Sequence, residues 1–359
     1  MPLHDLIVRA GLVVDGQGAA PQTADIAVRD GHIAEIGRVR ERAHRVVDAD
    51  GALVIPGLVA FLPPEHVAEF DRNRQHHLAP GVTSTVERLP PSIAIEEVPR
   101  FLDTSADGPF LVNRSFLLSH DTLRQRVMGN KVRDQLSPSA GDIDQMADLL
   151  ADGLLAGAVG LISALNGEPD ELRALIREGV QTCSRRAEID TATTIVIDAP
   201  ERDSEELMEL GRYLGNSEGV ADVVVTTNEV LDDDKLISAL GLQPAGTALS
   251  ELLRHGTVIA GSNLNPLALL HAADPTAFPV QTVALRWVDT ARSFGLNDRG
   301  AIAVDRCADL NVLDFVHLNE DLSDGVVSTL VAGEEIVSFN ELTGATPGRI
   351  VSRSSAQPD

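Results

Sequence analysis

The stretch ADIAVRDGHIAEIG, residues 24–37, alternates apolar and polar residues on either side of Asp30-Gly31. That dipeptide signals a two-residue hairpin, whose central positions need positive φ angles that glycine takes without strain. The pattern predicts one strand over Asp25–Arg29 and its antiparallel partner over His32–Gly37. Upstream, LHDLIVRAGLVV at 3–14 alternates and reads as a further strand, closed by a turn at Asp15-Gly16-Gln17-Gly18. Downstream, Val46–Asp48 and Ala52–Ile55 extend the β-texture to Pro56-Gly57, with no helical periodicity.

From residue 58 to 296 the texture changes. Apolar runs at Phe110–Val112, Phe116–Leu118, Ala158–Ile162, Thr194–Ile197, Ala221–Val225 and Thr257–Ala260 read as buried strands. Between them lie helix-like stretches. Pro138–Leu155 sets Ile143, Met146, Leu149, Leu150 and Leu154 on one helical face. Strand–helix alternation over some 240 residues has the size and rhythm of a parallel barrel. After residue 297 the β-texture returns at Ala308–Asp314, Val326–Val331 and Glu335–Val337. The expected fold is α/β: a TIM-like (β/α) barrel over 58–296, beside a small composite β-sandwich domain built from 1–57 and 297–350. The polar tail 351–359 is expected to be disordered.

Composition narrows the partners. A formal charge of −25 over 359 residues repels a phosphate backbone and an anionic membrane surface. No apolar run approaches the roughly 18 residues of a membrane span. Cys183 and Cys307 stand far apart and form no motif, and the first residues lack a cleavage-type leader, so a cytoplasmic protein is expected. A small-molecule ligand, a second copy of the chain or a different partner chain are the candidate associates, with no nucleic acid and no membrane. Only Lys131 and Lys235 are lysines.

The segments DLIVRAGLVVDGQG (5–18), ADIAVRDGHIAEIG (24–37) and VVDADGALVIPGLV (46–59) resemble the opening of the amidohydrolase superfamily. FGLNDRGAIAVDRCADLNVLD (294–314) and VVSTLVAGEEI (326–336) resemble its closing sheet segment. Within it, SHDTLRQRVMG (119–129) and ELTGATPGRI (341–350) are similar to N-acyl-D-amino-acid deacylases, while 165–250 match poorly. The resemblance implies hydrolysis of amide-type C–N bonds by one or two metal ions at the C-terminal ends of barrel strands, where the ion activates water and polarises the carbonyl.

The ligands that the resemblance implies are missing. Its His-x-His after Pro-Gly falls on Leu62 and Pro64, its aspartate on Ala60, and its closing Gly-Ser-Asp reads Gly261-Ser262-Asn263. Leucine and proline offer no lone pair, and asparagine cannot act as a carboxylate base. Pro80–Arg88 holds no bridging cysteine, Lys131 and Lys235 lie in polar contexts, and Ile195–Ile197 leads to Asp198 instead of a histidine. No metal ligand set and no cofactor are therefore expected, and zinc would enter only through displaced ligands. Glu65, His66, His76, His77 and His120 would supply such ligands. His76 and His77, as neighbours on a strand, would point to opposite sides and could not chelate together.

The candidate catalytic groups are Asn263, His120, Glu87 and Asp198, with Glu65, His66, His76 and His77 as substrate-pocket residues. Three functions follow: a degenerate, metal-free member with a binding, partner or regulatory role; a metal-independent enzyme using these acids and histidines; and a metal-dependent C–N hydrolase with displaced ligands.

Overall fold

The structure is a computed structural model and describes residues 3–62, 81–104, 110–133, 136–165, 169–187, 192–198, 210, 213–216, 218–226, 257–259, 290–314, 316–317 and 324–353. The chain opens with β1 (His4–Val13), β2 (Gln22–Arg29), β3 (His32–Gly37), β4 (Ala43–Asp48) and β5 (Leu53–Pro56). The α/β centre follows: β6 (Leu58–Leu62), β7 (Val82–Arg88), α1 (Val98–Thr104), β8 (Asn113–Ser119), α2 (His120–Met128), α3 (Asn130–Arg133), α4 (Ala140–Leu155), β9 (Gly160–Ser163), α5 (Pro169–Ala187), β10 (Thr193–Asp198), β11 (Val220–Thr226) and β12 (Thr257–Ile259). The end returns to β13 (Leu310–Leu313), β14 (Val326–Val331), β15 (Glu334–Ser338) and β16 (Glu341–Leu342).

Strands from both ends share one nine-stranded mixed sheet, in the order β16-β15-β14-β13-β5-β1-β2-β3, with β4 also on β1. The joint is the antiparallel pairing of β5 with β13, where Pro56 faces Leu310 and Leu53 faces Leu313. β1 serves two neighbours on one edge, running parallel to β4 through Arg9 and to β5 from Leu12. The switch falls at Ala10, which takes φ +52°. Asp25 holds that kink by accepting from the Ala10 N–H (2.9 Å) and from Arg9 Nη1 (2.8 Å). The alternation read from the sequence puts Leu6, Val8, Ile26, Val28, Ile33, Val54, Leu310, Val312 and Leu330 in one core.

The second sheet has seven described strands, all parallel and each beside its neighbour in the chain, from β6 to β12. One face is covered by helices: Phe116, Leu118, Leu161, Ile195 and Ile197 pack with residues of α1, α2, α4 and α5. The other face gathers Val86, Leu117, Ile162 and Val196 with Ala291, Phe294 and Leu296. Gly160 lets β9 and β10 approach closely, since a side-chain carbon there would meet the Thr194 carbonyl oxygen at 2.4 Å. The helix expected over 138–155 begins at Ala140, because Ser139 and Asp142 cap each other's backbone N–H groups.

A buried polar junction joins the sheets. Asp309 accepts from Arg299 Nη1 (2.9 Å), Asn113 Nδ2 (3.1 Å), Cys307 Sγ (3.3 Å) and the Ala332 N–H (2.8 Å). Arg299 also reaches Ser84 Oγ on β7 (3.3 Å). Burial, then the charge of Asp309, pushes the Cys307 thiol far up. The tail expected to hang free is held at its start: Val351 donates to the Arg114 carbonyl and accepts from Ser115 Oγ, and Arg353 reaches the Ala192 carbonyl. No helix among the described residues is long and apolar enough to cross a membrane.

Candidate active-site region

In a parallel α/β sheet, side chains at the C-terminal strand ends meet the open crevice that loops build into a site. Those ends here are Leu62, Glu87-Arg88, Ser119, Ser163, Asp198, Thr226 and Ile259.

Glu87, expected as an acid–base candidate, lies in a buried ion pair. It is fully buried, its Oε1 accepts from Thr85 Oγ1 (2.6 Å) and Arg114 Nε (2.9 Å), and its Oε2 pairs with Arg114 Nη2. Arg114 in turn lies over the rings of Phe110 and Phe116, at 5.2 and 5.6 Å. Glu87 stands beside Phe116 in the strand register, and so on the helix-covered face. Its carboxylate is committed to holding β7 to β8.

His120 begins α2 immediately after the helix cap Ser119, whose hydroxyl accepts from the Thr122 N–H. Its ring is buried: Nδ1 lies 3.0 Å from Ser163 Oγ and Nε2 lies 3.2 Å from Glu171 Oε1. Ser163 Oγ also accepts from the Leu165 N–H (3.1 Å), so its own proton is available to Nδ1. This network assigns the proton of a neutral His120 to Nε2, which donates to Glu171. The same Glu171 oxygen lies 3.1 Å from Arg124 Nε. Helical spacing sets Arg124 one turn beyond His120, so one carboxylate fixes both side chains.

Beyond the C-terminal ends of β7, β8 and β9 opens a cleft of about 1320 Å³, lined by Arg88, Glu96, Asp121, Arg124, Arg126 and Glu171 among others. His120 stands behind its wall, and Arg126 is paired with Glu96. Arg88 is half-buried and makes no hydrogen bond or ion pair among the described residues. The cleft thus presents Arg88 beside Arg124, which the buried Glu171 holds in place, and a guanidinium such as that of Arg88 suits planar, bidentate recognition of a carboxylate or phosphate.

Asp198 ends β10 half-buried, two strands away from the strand that leads to His120. Asn263, Glu65, His66, His76 and His77 lie outside the described residues, as does Lys235. Lys131 sits on α3 with Nζ 3.0 and 3.1 Å from the Asp142 carboxylate. Sequence reasoning missed Arg88, Arg124, Ser163 and Glu171. The one available signal was the i, i+4 spacing of His120 and Arg124.

No family model matches the chain. D-aminoacylase of Alcaligenes xylosoxydans xylosoxydans is 28% identical over 203 residues, which are 50% of this chain and 41% of that protein. N-acyl-D-glutamate deacylase of the same organism is 29% identical over 189 residues, 46% of this chain and 38% of that one. Each match takes in less than half of the curated relative's length. Among solved structures, a D-aminoacylase described for its binuclear metal centre superposes with a TM-score of 0.73 at 20% identity, covering 98% of this chain and 100% of that one. Sequence and fold comparisons thus name the same neighbours: part of the chain is similar in sequence to D-aminoacylase and N-acyl-D-glutamate deacylase, and its fold is similar to that of solved D-aminoacylases.

Proposed function

We propose that this chain is an amidohydrolase-like binding protein that takes a carboxylate-bearing small molecule of the N-acyl amino acid class and does not hydrolyse it by metal catalysis. In this reading the parallel strands close into a barrel, and the cleft over their C-terminal ends is its mouth. The likeness to D-aminoacylase supports that architecture.

The observation that carries the reading is the condition of the donor groups. A catalytic ion needs several lone pairs free to converge on it. At the described strand ends, Glu87 is closed by Arg114, His120 is held between Ser163 and Glu171, and Glu171 is shared with Arg124. β6 ends on leucine, and the nearest lysine in sequence, Lys131, is bound to Asp142. Among the described residues, these engaged donors do not make an open ligand set for such an ion. Arg88, which has no counter-charge among the described residues, adds positive charge to the cleft, and that charge favours an anion over a divalent ion.

The names of the relatives point to N-acyl-D-amino acids, and the carboxylate of such a molecule suits Arg88. Calorimetric titration with N-acetyl-D-glutamate is expected to show binding that weakens about tenfold in Arg88→Ala, the loss of one charge-assisted contact. The ligand is expected to be recovered intact. Binding unchanged in Arg88→Ala, or chelator-sensitive release of acetate, would overturn the reading.

A metal-independent enzyme is the second reading, favoured by the imidazole of His120 standing between a hydroxyl and a carboxylate. It requires acetate release that resists chelator and is lost in His120→Gln. The complete burial of Ser163 and His120 disfavours it.

A further inference from the structure

We propose that His4, Glu35 and Glu41 form a binding site for a divalent transition-metal ion of the zinc class, in the nine-stranded sheet and separate from the cleft. One nitrogen of His4 and one carboxylate oxygen from each glutamate all lie within 4.8 Å of one another. It is the one group of three or more such residues so placed among the described residues.

His4 supplies an independent reason. It is 3% exposed, yet neither ring nitrogen has a hydrogen-bond partner. A buried polar atom left unpaired calls for an explanation, and a bound metal ion would supply one for an imidazole with two unpaired nitrogens beside two carboxylates.

The fold brings the three together from separate elements. His4 begins β1 and lies opposite Ala43 in the parallel pairing with β4, so Glu41, two residues before Ala43, comes alongside. The Leu3 N–H anchors that approach on the Arg42 carbonyl (3.0 Å). Glu35 belongs to β3, opposite Ala27, which is opposite Ile7 of β1. Glu41 is held at both ends: its carbonyl accepts from Arg9 Nη2 (3.4 Å) and its carboxylate Oε2 accepts from the Arg40 N–H (3.1 Å).

One imidazole and two carboxylates match the donor preference of zinc and its neighbours over calcium or magnesium. Bonds of about 2.0–2.2 Å place ligand atoms roughly 3–4 Å apart around the ion, so small rotations of the glutamates bring the donors into range. Water would complete the shell. The ion would then tie β1, β3 and the segment before β4 together.

The test is calorimetric titration of the chelator-treated full-length chain with zinc sulfate, beside thermal melts. Wild type is expected to take up one equivalent and to melt at a higher temperature with zinc. Glu35→Gln and Glu41→Gln are each expected to lose at least about tenfold in affinity, and the double variant is expected to lose the zinc-dependent shift while keeping its circular dichroism spectrum. These two substitutions leave buried His4 in place, so the fold is preserved. Absence of zinc uptake by wild type, or unchanged stoichiometry and affinity in the double variant, would overturn the proposal.

Discussion

Arg114 and Glu87 form the residue pair on which the parallel sheet depends most visibly. Both lie under the helices, and removing either leaves a charge buried without its partner, which costs roughly 3–5 kcal/mol in comparable sites. Arg114→Met is expected to lower unfolding free energy by about that amount in urea denaturation. Adding Glu87→Leu to it is expected to recover part of the loss, because two apolar groups leave no orphaned charge. An equal or larger loss in the double variant would show that the pair does more than neutralise itself. Glu87 was legible as a strand-end carboxylate, but its partner was not. Along β7, Thr83, Thr85 and Glu87 alternate with Ser84, Val86 and Arg88, so polar residues stand on both faces. With no apolar stripe to choose a face, alternation alone could not say that Arg88 meets the cleft while Glu87 meets Arg114.

At the scale of elements, α4 shows how a local sequence sets a boundary that acid can loosen. Its Asp142 carboxyl is lowered from 3.8 to about 2 by the Ser139 hydroxyl, then by the Ser139 backbone N–H and by Lys131. A carboxyl depressed on folding stabilises the fold fully above its unfolded value and loses that contribution as pH falls through the folded one. Acid weakening from this cap therefore belongs between about pH 4 and pH 2. Ser139→Ala is expected to cost about 1 kcal/mol near neutrality. In denaturation curves taken across pH, the difference from wild type should hold steady above pH 5 and shrink toward pH 2. A difference that grows in acid would contradict the assigned cap. The helix itself was legible from its apolar spacing, as were the strands flanking Asp30-Gly31 and those over 194–197 and 326–331. Pro169–Ala187 was not singled out, because likeness to the family lapses there, although Leu172, Leu175, Ile176, Val180 and Cys183 carry a helical rhythm. Its contribution of Glu171 to the cleft depends on tertiary packing against α2 that no local pattern encodes.

Across the whole molecule, the two chain ends meet through β5 and β13, and Asp309 ties that sheet to the parallel one through Arg299 and Asn113. Turn chemistry at Asp30-Gly31 and Pro56-Gly57 made the β-rich ends readable, because glycine and proline constrain the backbone locally. The linkage between sheets was not readable, since Asn113 and Asp309 are 196 residues apart and buried polar pairs leave no periodic trace. That Leu62, Pro64 and Asn263 stand where the resemblance expects metal ligands was legible as chemistry. Closure of the remaining donors by Arg114, Ser163 and Arg124 emerges only in three dimensions. These two kinds of information support the proposed reading: beyond the described ends of β7 to β9, the carboxylates and the imidazole are already paired where a hydrolytic ion would need open ligands. The most direct test is elemental analysis of the Glu35→Gln/Glu41→Gln variant grown with added zinc, which removes the sheet-bound site from the count, with N-acetyl-D-glutamate turnover followed in the same sample. Metal well below one equivalent and no acetate release is the expected result. A full equivalent of zinc accompanied by chelator-sensitive hydrolysis would contradict it.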